Sequence, residues 1–227
     1  MRNSILLFAA LFSCLLVDAQ QEQGQNLSTG VLMVNHSLLI SNRYQLKSSV
    51  EQRLPFIFSN VPFFSGTIKP RTDITTGIQR KLNSNFSVAF GGMYRFINNT
   101  TEQRLYQQVG FVQQTLSRVK VVHRLRVDET FSVDPTEYRI RYRAGLQLPR
   151  SGFRVDPGEH YLAVLAEVLN KFQNKSYRPE VRFTSQFGFL FKNSNKGELM
   201  LEVRMDGIGR NSAENLFLLG LSYYLSK

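Results

Sequence analysis

The sequence predicts an all-β protein: an antiparallel up-and-down transmembrane β-barrel, with twelve strands expected and ten as the alternative. Three observations carry this. Most of the chain falls into long segments in which apolar and polar residues alternate with period two. The charges within those segments keep to one face. The opening residues have the layout of a cleavable export signal.

The chain opens MRNSILLFAALFSCLLVDAQ, with Arg2 ahead of an apolar run over residues 5–17, then Val17-Asp18-Ala19 before Gln20. Such a run is too short for the ~20 residues that a spanning helix needs, so it reads as a signal peptide and not as an anchor. Cleavage between Ala19 and Gln20 is expected, leaving residues 20–227 as a single β-barrel domain. Leu11-Phe12-Ser13-Cys14 faintly resembles a lipoprotein cleavage box, but phenylalanine is poor there and the apolar run continues through Val17. Cys14 is the only cysteine. It leaves with the signal, so the mature chain has neither disulfides nor thiolate chemistry. The net charge of +11 would by itself suggest a nucleic-acid or anionic-lipid partner. Export argues against nucleic acid, and the expected location is the outer membrane of a Gram-negative bacterium.

After a polar lead over residues 20–28, strands are expected near 30–41, 44–54, 67–82, 86–96, 104–116, 118–131, 137–148, 159–171, 178–192, 197–206 and 213–225. Asn83-Ser84-Asn85, Asn98-Asn99, Asp134-Pro135, the stretch 149–158, Asn193-Ser194-Asn195 and Gly207-Ile208-Gly209 punctuate them with turn chemistry. Only residues 161–170 could also be read as helix, and their neighbours favour strand. Ordinary strands average about 5–6 residues, whereas a tilted membrane-crossing strand needs about 9–11. Bacterial barrels have even strand numbers, and eleven segments leave one unaccounted for. Residues 20–28 and 55–66 are where a twelfth would lie. The long connection at 149–158 also falls on the periplasmic side, where short turns are expected.

The two faces sort clearly in the C-terminal half. Val119, Val121, Leu125, Val127 and Phe131 alternate with Arg118, Lys120, Arg124, Arg126 and Asp128. In the next strand Ile140, Tyr142 and Ala144 oppose Arg139, Arg141 and Arg143. Glu159, Glu167, Glu180, Arg182, Glu198, Glu202 and Arg204 fall on the charged face of later strands. In lipid every backbone group must be paired, which only a closed barrel achieves with strands. A basic side chain on the lipid side costs about 2–4 kcal/mol at mid-depth. The charges are therefore expected to point inward as a lumen network of bidentate arginine–carboxylate pairs.

His123 through Phe131 (HRLRVDETF), followed by Tyr138-Arg139-Ile140-Arg141-Tyr142-Arg143, resembles a family of small exported bacterial proteins common in the Bacteroidota and known only as a domain of unknown function. Leu165-Ala166-Glu167-Val168-Leu169-Asn170, Arg182 with Gly188, and Glu202 match later positions of the same pattern. The resemblance implies an outer-membrane β-barrel and brings no activity. Asp128 stands where glutamate is usual, and the chain ends Tyr224-Leu225-Ser226-Lys227 instead of in a terminal aromatic.

No catalytic set, metal site or cofactor is expected. His36, His123 and His160 fall on the apolar face without metal spacing, and the nearest serines, such as Ser37, point the other way. The Asn-x-Ser/Thr sequences at Asn26, Asn35, Asn85, Asn98, Asn99 and Asn174 suit tight turns as well as glycan acceptors. The expected role is a scaffold or a narrow anion-preferring pore. Its partners are outer-membrane lipid, the barrel-assembly machinery during insertion, and small anions. A soluble lipocalin-like binder and an envelope-lipid enzyme are the alternatives.

Overall fold

The computed structural model describes residues 25–55, 66–98, 100–115, 118–131, 135–208 and 214–226. The expected signal peptide and its junction at Ala19 and Gln20 lie outside them. The described residues form a closed barrel. Its strands are β1 (Gln25–Leu39), β2 (Tyr44–Pro55), β3 (Gly66–Thr67), β4 (Arg71–Lys81), β5 (Phe86–Ile97) and β6 (Thr100–Gln114), then β7 (Lys120–Thr130), β8 (Glu137–Pro149), β9 (His160–Gln173), β10 (Ser176–Leu190), β11 (Lys196–Asp206) and β12 (Glu214–Ser226). Residues 161–170, open to a helical reading, are strand.

Eleven of these are long staves, each antiparallel to its chain neighbour, and β1 closes the ring on β12. An odd number of alternating staves must leave one parallel pair. That pair is β1 with β12, running from Gln25 opposite Glu214 to Ser37 opposite Ser226. The seam corrects the expectation of a wholly antiparallel ring, whose parity called for a twelfth long stave. Of the two stretches where that stave was sought, residues 25–28 extend β1 backward. The other is outside the described residues from 56 to 65, and its far end, β3, adds a two-residue parallel bridge to Leu27 and Ser28 of β1. The chain therefore enters β1 at one rim and leaves β12 at the other, here called the N-terminal and C-terminal rims.

The turns follow from local chemistry. The Asn83 side-chain oxygen accepts from the backbone N–H of Asn85 (2.9 Å) and of Phe86 (2.7 Å), closing the β4–β5 hairpin. Asn174 and Lys175 both adopt positive φ, 42° and 64°, the geometry of a two-residue hairpin turn whose twist matches its strands. The longer β8–β9 connection is tied down where the Gly158 N–H donates to the Leu190 carbonyl at 2.7 Å.

Alternation then sorts the side chains. Leu125, Val127, Ile140, Tyr142, Leu199, Leu201, Leu219 and Leu221 are exposed on the outer surface. The buried residues are mostly polar and point inward: Arg53, Asp73, Arg95, Arg104, Asp128, Glu167, Glu180 and Glu202. A small apolar cluster of Val31, Met200 and Leu218, backed by Leu216, lines the inside of the seam. Near the C-terminal rim an outer aromatic belt runs through Phe86, Phe111, His123 and Tyr142, with successive ring centroids 4.7, 5.9 and 6.1 Å apart. It continues through His160, Phe189, Phe191 and Tyr223. Phe172 and Tyr177 pair at 5.4 Å near the opposite rim.

Candidate functional site

The lumen is the candidate site, and the cross-strand register builds it. On the inner face Arg124 lies opposite Arg143, and Arg126 opposite Arg141. Like charges placed so close repel, and each pair is held by a carboxylate set behind it. Glu167 on β9 takes Arg143 at 2.8 Å, Arg124 at 3.2 Å and Arg182 at 3.1 Å. Asp128 takes Arg126 at 2.7 Å and Arg141 at 2.9 Å. Asp128 is 0% exposed and Glu167 2%. Buried ions are tolerated only when paired, and the guanidinium groups supply that: Asp128 Oδ1 and Glu167 Oε2 accept hydrogen bonds, while Asp128 Oδ2 and Glu167 Oε1 face Arg141 and Arg182 as ion pairs.

The network continues around the ring. Arg182 also pairs with Glu180, which takes Lys171 at 2.7 Å. Lys171 reaches Asp206 at the same distance. Arg204 pairs with Glu202, which also accepts from the Thr184 hydroxyl at 2.8 Å. Arg139 pairs with Glu137 beside it on β8. On the other side of the lumen Arg95 forks onto both oxygens of Asp73, at 2.7 Å each. Arg104 lies 3.5 Å from Glu102, and Arg53 binds Glu51 at 2.6 Å. Toward the C-terminal rim, Glu198 accepts from Tyr161, from Tyr224 at 2.9 Å and from Gln186 at 3.1 Å.

Glycines let this filling lie flat. Gly188 sits opposite Tyr161, and a Cβ there would meet the tyrosine ring at 2.1 Å. Tyr106 likewise lies over the facing pair Gly77 and Gly91, and the Arg126 guanidinium stacks on its ring at 3.9 Å.

A cavity of about 870 Å³ remains inside. Its lining follows β12 from Glu214 to Ser226, the whole length of the strand. Fifteen lysine and arginine side chains line it against six carboxylates. Asp128 and Glu167, the deepest acids, lie behind their arginines and not on the cavity wall. The wall therefore carries more basic than acidic side chains, part of their charge being offset by the carboxylates set behind them.

Of the charges expected inside from sequence, Arg124, Arg126, Asp128, Arg139, Arg141, Arg143, Glu167, Glu180, Arg182, Glu198, Glu202 and Arg204 lie in this network. Lys120 sits at the C-terminal rim within electrostatic reach of Lys196. Two are elsewhere. Arg118 is exposed in the β6–β7 turn with φ of 68°, a conformation no strand residue adopts. Glu159 belongs to the β8–β9 connection. The Ser151 hydroxyl and the Asp156 N–H donate to it and hold its carboxylate below its ordinary pKa. Conversely, Glu51, Arg53, Arg71, Asp73, Arg95, Glu102, Arg104 and Lys171 join the lumen without having been singled out. Their period-two spacing, as in Glu51-x-Arg53, Arg71-x-Asp73 and Glu102-x-Arg104, was the available signal. It was masked because the alternate positions include Ser48, Gln52, Thr72, Thr76, Gln103 and Gln107.

His123 and His160 sit in the outer aromatic belt. His123 Nδ1 is 2.8 Å from the Tyr142 hydroxyl, and His160 stacks on Phe187 at 5.1 Å. His36 shares the outer parity of Val34 and Leu38, which are exposed.

No curated protein and no solved structure matches the chain. A family model described as "Protein of unknown function (DUF2490)" matches residues 32–215, from within β1 to the start of β12. With every long stave touched by that match, the chain belongs to the DUF2490 family.

Proposed function

We propose that this protein is an outer-membrane β-barrel of a Gram-negative envelope. Its internally braced, cationic lumen forms a narrow anion-preferring passage. The observation that carries the membrane part is the segregation of charge. Between the aromatic belts the outer face carries mostly apolar side chains and a few neutral polar ones; the outward charges of the strands, Arg80 laid over the Tyr44 ring and Glu129 beside Tyr138, stand toward the two rims, while the other arginines and carboxylates of these strands face inward. On β10, Tyr177 and Phe187 stand ten residues apart. At ~3.3 Å per residue and a tilt of ~40°, that is about 25 Å along the barrel axis, the height of a lipid-facing band. A soluble barrel has no reason to present Leu199, Leu201, Leu219 and Leu221 to water while burying ion pairs.

The passage part is supported by the excess of cations on the cavity wall and by a lining that follows a whole strand. Rings of basic side chains favour anions. The salt bridges do double duty in this reading, bracing a narrow barrel and setting the sign of its field. The partners are outer-membrane lipid on the outside, the barrel-assembly machinery during insertion, and small anions within.

A lipocalin-like binder needs an apolar interior, and here the interior is ionic. The membrane reading is tested by fractionation and by gel migration with and without boiling. An envelope-bound product whose unboiled form runs as a compact species is expected, and a freely soluble periplasmic product would refute it.

A further inference from the structure

Among the described residues, arginine faces arginine directly across neighbouring staves four times: Arg53 with Arg71, Arg124 with Arg143, Arg126 with Arg141, and Arg182 with Arg204. In three of the pairs each guanidinium has a carboxylate oxygen of the chain within 3.2 Å. Glu167 is shared by Arg124 and Arg143, and Asp128 by Arg126 and Arg141. Glu180 and Glu202 serve Arg182 and Arg204.

The fourth pair is different. Glu51 is taken by Arg53 Nε at 2.6 Å. Asp73 gives both oxygens to Arg95 and stands 3.9 Å from Arg71 Nε. Arg53 Nη1 and Arg71 Nε are consequently buried donors without a hydrogen-bond partner; Arg124 Nε and Arg141 Nε are unpartnered too, but each of those guanidinium groups has another nitrogen on a carboxylate, at 3.2 and 2.9 Å, which Arg71 lacks. Arg53 is only 4% exposed, yet both residues line the cavity. Arg95 and Arg204 are within electrostatic reach of Arg71, so four guanidinium groups meet there, and the nearby acids Glu51, Asp73, Glu102 and Glu202 are each engaged by an arginine other than Arg71. Leaving buried charged donors unpaired is costly, and a ligand with several oxygens would remove the cost.

We infer that Arg53 and Arg71 form the seat of a small oxyanion of the phosphate or sulfate class, held in the lumen near the N-terminal rim. The inference rests on the cationic-lumen reading and adds a ligand class and a position to it. Guanidinium forks match tetrahedral oxyanions better than they match chloride, because two N–H groups meet two oxygens in one plane. The closed ladder of staves keeps lipid headgroups out of the lumen, so the ligand is a free solute.

The test is calorimetric titration of the folded mature chain, in detergent, with inorganic phosphate against a constant chloride background. Saturable binding is expected for the wild type and for R43Q, a change in the exposed β1–β2 turn. R71Q should bind at least about tenfold more weakly, the cost of one charge-assisted hydrogen bond. R71Q should also unfold at a higher temperature than wild type when phosphate is absent, since the opposed charges are gone. Should R71Q not fold, R71K serves in its place, because it keeps the charge and loses the fork, and it too should bind weakly. No saturable phosphate binding by the wild type, or unchanged binding by these variants, would overturn the seat. Anion conductance that persists without phosphate binding would overturn the seat alone. Phosphate binding in a barrel without anion preference would support the seat and refute the passage.

Discussion

Glu167 is where the lumen network converges: one carboxylate, 2% exposed, facing Arg124, Arg143 and Arg182. Substituting glutamine leaves Arg124 and Arg143 opposed with no shared anion. Breaking a buried ion pair from one side costs about 3–5 kcal/mol, so Glu167→Gln should lower unfolding stability by that order in urea titrations of the detergent-folded barrel. A loss below about 1 kcal/mol would show that the network is ornamental. Gly188 makes a steric prediction. Gly188→Val drives Cβ into the Tyr161 ring and should cost about 1–3 kcal/mol, as overpacking does. Adding Tyr161→Ala should recover part of that loss, and a purely additive double mutant would contradict the contact. From sequence, the inward direction of Glu167 follows from its place in an alternating strand. Its partners do not, because they come from β7, β8 and β10, and only the register between staves brings them together.

At the scale of the strand, what was legible depended on contrast between the two faces. In β7, β8, β10 and β11 the contrast is strong, and alternation alone separates arginine and glutamate from leucine, valine and phenylalanine, with Glu129 at the rim end of β7 the exception. In β2, β4 and β6 the outer positions carry Ser48, Gln52, Thr72, Thr76, Gln103 and Gln107, so Arg53, Arg71 and Arg104 did not stand out. Arg118 misled because it continues the spacing of β7 into a turn, where backbone geometry and not parity decides its direction. The lipid-facing assignment of the outer positions has a direct consequence. Leu201→Arg, in the middle of β11, should cost about 2–4 kcal/mol in a bilayer and reduce the folded, envelope-associated fraction. Phe153→Arg, an exposed position in the β8–β9 connection, should leave that fraction unchanged. Equal tolerance of both would mean that β11 does not face lipid.

For the whole molecule, the all-β class and closed ring were legible from segment length and alternation, and the seam was not. The even-number rule presupposes that first and last strands meet antiparallel. Here eleven staves close by a parallel pair that places the two ends of the described chain at opposite rims. No local pattern encodes that choice, because β1 and β12 alternate in the same way whichever direction they meet. The cationic character of the lumen was partly legible too. The excess of arginine over carboxylate was visible in the chain, but not that Asp128 and Glu167 would lie behind their arginines and leave fifteen basic side chains on the wall. That arrangement is the centre of the functional account. Reversal potentials in planar bilayers, under a salt gradient, measure it most directly. The wild-type barrel should conduct with anion preference, and Arg141→Glu, which sets a second carboxylate beside Asp128, should weaken or invert that preference. A wild-type barrel that prefers cations, or one that stays silent in the bilayer, would contradict the account.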